Sequence, residues 1–255
     1  MSLTTDYELP RVLGIDITSN LIHLSVIDTD DPDTALAAAV PVVSQPPYSL
    51  FNVHHHVQTA VNQAVDLITD GDTSLPALVV CSKFMWRDMK TDPSAARRSM
   101  VHTLLLEQLH RLRVPVTEFP LPTALVWARG SGVGKTGGML DLLDDLAVTK
   151  LSAKKPAGQE KYRPGTGILA AIAAQSIGME VGGFPVNDER LSVAAGYATP
   201  TARTKDNRSI NWTSRRVPPR SAAEWETRNK DIAGWLRAGD TAAALGAEGE
   251  SETAA

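Results

Sequence analysis

The sequence predicts an α/β protein built on a mixed sheet with helices on its faces. Two β-rich runs stand one short turn apart near the start, and short apolar runs then alternate with helical periodicity. The later part of the chain is alanine-rich and reads as helices. Such an order packs best as a sheet covered on both faces.

Arg11–Asp16 (RVLGID) and Asn20–Asp28 (NLIHLSVID), joined at the turn ITSN, form the predicted antiparallel hairpin. A third strand is expected near Ala39–Ser44, ending at Gln45, Pro46 and Pro47. Val53, Val57, Ala60, Val61, Ala64, Val65 and Ile68 recur at helical spacing, and Gly71 with its acidic neighbours ends that helix. Leu75–Cys81 (LPALVVC) is a continuous apolar run, as for a strand covered on both faces. Asp92 and Pro93 then read as an N-cap and first helical residue, before a face of Val101, Leu105, Leu109 and Leu112. Val114–Phe119 is the last strand. Helices are expected at Met139–Leu146, Gly167–Met179 and Asp188–Ala198, with a Lys-, Pro- and Gly-rich loop or insertion over 149–165. Ser221 and Glu224 make a capping-box pattern for a final helix with Trp225, Ile232 and Trp235 as apolar contacts.

The composition shifts to polar and basic after Pro200. We therefore divide the chain into a core domain over 1–200, a basic linker over 201–220, a helical extension over 221–245 and a disordered acidic tail over 246–255. At 255 residues and 43% hydrophobic content the chain is long enough for a substantial core. No apolar run reaches the roughly 18 residues of a membrane span. The N-terminus has no charged start followed by an apolar core, so no secretory signal is expected. Cys81 is the only cysteine, which excludes an internal disulfide and an all-cysteine zinc site, and a reducing cytoplasm is the expected location.

The net charge of −4 does not announce a nucleic-acid binder, but one basic surface suffices for that. Arg203, Lys205, Arg208, Arg215, Arg216 and Arg220 stand against a single acid, Asp206, in a segment that also holds Trp212. It reads either as a solvated linker or as a surface whose arginines contact phosphates and whose indole stacks on an unpaired base. Lys83, Arg87, Lys90, Arg97 and Arg98 form a second positive stretch.

Asp16, at the mouth of a rigid strand, is the first candidate for chemistry. It reads as a Mg²⁺ ligand, because Mg²⁺ takes oxygen donors, or as a turn aspartate capping the hairpin. Gly130–Thr136 (GSGVGKT) is the second. A nucleotide-binding P-loop needs glycine where Arg129 stands, which leaves a flexible glycine loop or a phosphate contact through amides and Lys135. His54, His55 and His56 are consecutive on a helix and point apart, so they read as a solvated helix start rather than a zinc site.

VLGID followed by IHLSVID resembles the opening of the RuvC-type Holliday-junction resolvases, of the ribonuclease-H-like superfamily. The similarity continues in order through LVVCSKFM, VPVTEFPLPTALVWARGSGVGK and NDERLSVAAGYA, over about residues 11–199. It implies a ribonuclease-H-like mixed five-stranded sheet with a C-terminal helical extension. It also implies a two-fold homodimer that cuts branched DNA with Mg²⁺. In that family, acids from the first strand, a middle strand and a late helix gather the metal. Asp16 matches the first strand and Asp188 the first acid of the late helix. Leu191 stands where a second helix acid belongs, leaving the adjacent Glu189 as the third candidate ligand. Lys83, Arg87, Lys135, Arg215 and Arg216 are the candidate DNA contacts. The middle-strand glutamate falls at or beside Cys81, yet neither Cys81 nor Ser82 is a carboxylate, and Asp88 is the nearest acid downstream. A catalytically silent relative that binds DNA or a partner protein is therefore the competing expectation. An actin-like ATPase also opens with such a strand and hairpin, but it needs two domains and this chain has one set of strands.

Overall fold

The computed structural model describes residues 11–28, 30–43, 46, 49–69, 75–84, 94–130, 138–154, 156–158, 161–203, 210, 212 and 216–229. The five strands are β1 (Val12–Ile17), β2 (Leu21–Asp28), β3 (Asp31–Pro41), β4 (Leu78–Ser82) and β5 (Val116–Phe119). They form one sheet in the order β3-β2-β1-β4-β5. β1–β2 and β2–β3 pair antiparallel, while β1–β4 and β4–β5 pair parallel. This is the mixed, ribonuclease-H-like sheet that the sequence led us to expect.

β3 is longer and earlier than its sequence suggested. Asp31, Pro32 and Asp33 are poor strand formers, yet β2 offers a free edge and the register runs from Leu21 opposite Pro41 to Asp28 opposite Asp31. Pro32 is tolerated because β3 is an edge strand. Pairing, not propensity, sets its limits.

One face of the sheet is covered by α1 (Leu50–Ile68) and α2 (Ala95–Arg111). Val57, Val61, Ile68, Leu105 and Leu109 meet Leu13, Ile15, Val79 and Cys81 there. Ser49 caps α1 by accepting from the Asn52 amide, at 3.1 Å. α2 starts beyond the predicted Asp92–Pro93 cap, and that pair lies outside the described residues.

The other face carries α3 (Leu121–Arg129), α4 (Met139–Leu151) and α5 (Thr166–Ser176). No periodicity in the sequence marks α3, a nine-residue helix that Gly130 stops in the left-handed conformation, φ +72°. α5 has no polar side: every residue from Thr166 to Ser176 is buried, as in a helix enclosed by its own protein. Its alanines let it lie directly on β1, β2 and β4. Gly14 is what permits the approach, since a Cβ there would stand 2.1 Å from the Thr166 carbonyl oxygen.

α6 (Asp188–Ala195) packs on α3 and α5, and α7 (Ala222–Asn229) follows. The described part of the C-terminal segment packs on the core. Trp225 is buried and donates to the Gln175 carbonyl at 2.8 Å. Arg228 donates to the Val217 and Ser176 carbonyls at 2.9 and 2.8 Å. Among the described residues no helix is long and apolar enough to cross a membrane.

Candidate functional site

Asp16 sits near the C-terminal end of the central strand, half-buried and on the face that α5 covers. It lines a narrow cleft with Leu121, Leu140, Leu143, Asp144, Arg163, Gly165 and Thr166. The Ser82 hydroxyl, at the end of β4, donates to Asp16 Oδ1 at 2.5 Å. Ser82 is therefore the middle-strand residue that faces Asp16, and it is a hydroxyl where the resemblance implied a carboxylate. Side chains alternate along a strand, so Cys81 points the other way, into the α1–α2 core. Burial, with the charges of Asp16 and Glu118, pushes its thiol pKa well up. His102 lies beside it, 3.7 Å from Sγ and 3.4 Å from Glu118 Oε1.

The helix that begins beside Asp16 is α5, and its opening residues are Thr166 and Gly167. Asp188 and Glu189, assigned to the metal site from sequence, open α6 instead and are exposed. Asp188 Oδ1 accepts from the Ala222 amide at 2.7 Å and so caps α7. Neither residue lines the Asp16 cleft. Acids are favoured in the first turn of any helix, which accounts for this pair without a ligand role.

The second carboxylate in the cleft is Asp144, from α4. The sequence held one signal for it, since Asp141 and Asp144 are one helical turn apart on a helix that was foreseen. Asp144 Oδ1 accepts from the Gly165 amide at 2.8 Å, and Oδ2 lies 3.4 Å from Arg163 Nη2. Asp141 Oδ1 is 3.6 Å from the same nitrogen. A turn anchored by buried hydroxyls holds Arg163 in place. Tyr162 donates to the Leu24 carbonyl at 2.8 Å, and its oxygen is 2.7 Å from Ser25 Oγ and 3.0 Å from Thr166 Oγ1.

His23 lies directly across the β1–β2 ladder from Asp16. The Arg163 amide donates to its Nδ1 at 3.2 Å, so the ring proton is on Nε2, 3.4 Å from Thr18 Oγ1. Burial lowers its pKa from 6.5 to about 4; Asp16 pulls the other way and Arg163 adds to the fall. The ring is neutral at pH 7. Below its ordinary pKa the unfolded chain takes up a proton that the folded chain refuses. Stability present above that pKa is thus lost as the pH falls toward 4, by up to about 3 kcal/mol. Urea midpoints of the wild type should drop between about pH 7.5 and about pH 5 by more than those of His23→Gln. Parallel curves would remove His23 from this role.

Mg²⁺ does not fit the described residues of this cleft. Asp16 is met by a hydroxyl donor, Asp144 by an amide and a guanidinium, and α5 contributes no acid. Among the described residues no three carboxylate, imidazole or thiol groups gather as a metal centre.

Of the candidate DNA contacts, Lys83 directly follows Ser82, half-buried at the end of β4. Arg97 and Arg98 lie in the first turn of α2, and the Arg98 guanidinium lies 5.8 Å from the Phe84 ring centroid. Arg87, Lys135 and Arg215 lie outside the described residues. Arg216 is only 4% exposed and donates to the Ala77 carbonyl at 3.3 Å, so it binds the C-terminal segment to the core and is closed to phosphate. Trp212 is likewise committed inward. Its indole N–H donates to the Ala194 carbonyl at 2.8 Å and its ring meets Phe119 edge-on. His54 and His55 are exposed at the start of α1, as expected of a solvated helix start.

No protein-family model matches the chain, and no curated protein matches it either. Its structure is similar to that of RuvC from T. thermophilus in complex with a Holliday junction substrate, with 15% identity and a TM-score of 0.47 over 64% of this chain and 93% of that one. A second Thermus thermophilus RuvC structure gives 15% identity and a TM-score of 0.47 over 66% and 97% of the two chains. The yeast mitochondrial Holliday junction resolvase gives 12% identity and a TM-score of 0.40 over 76% and 84%. What the chain shares with these proteins is the fold, a ribonuclease-H-like mixed sheet flanked by helices.

Proposed function

We propose that the chain binds branched DNA, four-way junctions included, at the C-terminal ends of β1 and β4, and that it does so without cutting. The observation that carries this reading is the company of Asp16: a serine hydroxyl on one side and an Asp144–Arg163 pair in the same cleft. Lys83, Arg97 and Arg98 supply the phosphate contacts: Lys83 follows Ser82 at the end of β4, and Arg98, next to Arg97 in α2, lies by the Phe84 ring just beyond it. A four-way junction has two-fold symmetry, so a two-fold dimer is the assembly that matches it. The resemblance of the sequence in order over the core supports the DNA class. The donor set speaks against the metal-dependent incision that the same resemblance implied.

The test compares a four-way junction with a linear duplex of the same sequence, in EDTA, by fluorescence anisotropy. The wild type should bind the junction more tightly. Charge reversal at Lys83, Arg97 or Arg98 should weaken binding, with the slope of log affinity against log salt falling by about one per lost phosphate contact. Equal affinity for junction and duplex would end the branched-DNA reading, and unchanged salt slopes would remove these three residues from the interface.

A further inference from the structure

The Asp16 cleft contains a cation of its own. Arg163 has 26% of its side chain exposed and Asp144 22%, so their contact is largely withdrawn from water, whereas Asp141 is exposed at the rim. The guanidinium reaches both of these acids, and the backbone of the same residue holds His23, the ladder partner of Asp16. Gly165, two residues on, gives its amide to the other oxygen of Asp144. One short turn therefore delivers a fixed positive charge and an amide donor to the only second carboxylate that lines the cleft among the described residues.

We propose that Arg163 is the resident cation of this cleft and closes it to divalent metal. A metal ion on Asp144 would have to displace the guanidinium from Oδ2. That would leave a partly buried guanidinium without its main counter-charge, the costly way to break such a pair. It would also have to displace the Ser82 hydroxyl from Asp16 or accept a single oxygen there. Mg²⁺ and Mn²⁺ sites are built from one or two carboxylates with waters and substrate phosphates. Removing the guanidinium frees such a pair, Asp16 and Asp144. The arginine thus acts as an electrostatic plug, and this inference rests on the reading of the cleft as non-cutting.

The test is a Mn²⁺ titration of the full chain, followed by calorimetry and by the electron paramagnetic resonance of free Mn²⁺. The wild type should show no saturable binding at millimolar metal and no shift of its melting temperature. Arg163→Met, which keeps the aliphatic stem, should gain one saturable site, and adding Asp16→Asn to it should abolish that site. Saturable wild-type binding lost in Asp16→Asn would overturn the proposal. So would absence of binding in both the wild type and Arg163→Met, since the plug would then not be what keeps metal out. If Arg163→Met does not fold, Arg163→Gln provides the same comparison, and the wild-type titration stands by itself. Junction binding in EDTA is read separately: its loss with the metal results as expected would fault the DNA reading and leave this one standing.

Discussion

Gly14→Ala is expected to destabilise the protein by about 3 kcal/mol or more, the upper end for forcing atoms into a packed core. The added Cβ would lie 2.1 Å from the Thr166 carbonyl oxygen, 2.5 Å from the Ala170 amide nitrogen and 2.9 Å from the Leu169 Cβ. Two of these are backbone atoms, so no rotamer change relieves the clash. β1 and α5 must separate, and both are central to the core. Because α5 starts beside Asp16, the separation would also disturb the cleft. Urea denaturation measures this directly. A midpoint equal to the wild type's would mean that α5 does not lie on β1 as closely as described.

Trp225→Ala is expected to cost about 3 to 5 kcal/mol, the range for deleting a large buried aromatic side chain. Trp225 is 3% exposed, and its N–H satisfies the Gln175 carbonyl at the end of α5. Arg228 and Asn229 add donors to the Ser176 and Gly178 carbonyls, so α7 closes the C-terminal turn of α5, where carbonyls otherwise lack partners. Trp225→Phe keeps most of the packing and loses the hydrogen bond, for about 1 to 3 kcal/mol. Thermal unfolding should be a single transition that moves down in both variants, further in the alanine. A separate early transition, with the main one unmoved, would instead make residues 216–229 an appendage.

The sheet was legible in the sequence wherever a pattern was local. The β1–β2 hairpin followed from two alternating runs and a turn, and α5 from a long run of small apolar residues. α3 was not legible, because nine residues between a strand and a glycine loop give too few periods to read. β3 was misplaced because an edge strand can be recruited by its neighbour against its own propensity.

The cleft shows the same division. Asp16 could be read because it ends a strand, whereas Ser82 and Arg163 become partners of that cleft only through contacts across the fold, 66 residues apart in the case of Ser82 and Asp16. Asp188 was given a ligand role by its place in a sequence order. The structure gives the position beside Asp16 to the preceding helix, α5, and gives Asp188 a capping role. Composition also could not tell the roles of the arginines in the basic segment apart. A guanidinium that donates to main-chain carbonyls, as those of Arg216 and Arg220 do, looks in sequence like one that faces solvent.

Binding without incision is tested by incubating a labelled four-way junction with the wild type and Asp16→Asn in Mg²⁺ and in Mn²⁺, with binding followed in the same samples. Both proteins are expected to bind the junction and leave its strands whole. Metal-dependent incision by the wild type, lost in Asp16→Asn while binding is kept, would contradict this and make Asp16 the ligand of a working metal centre.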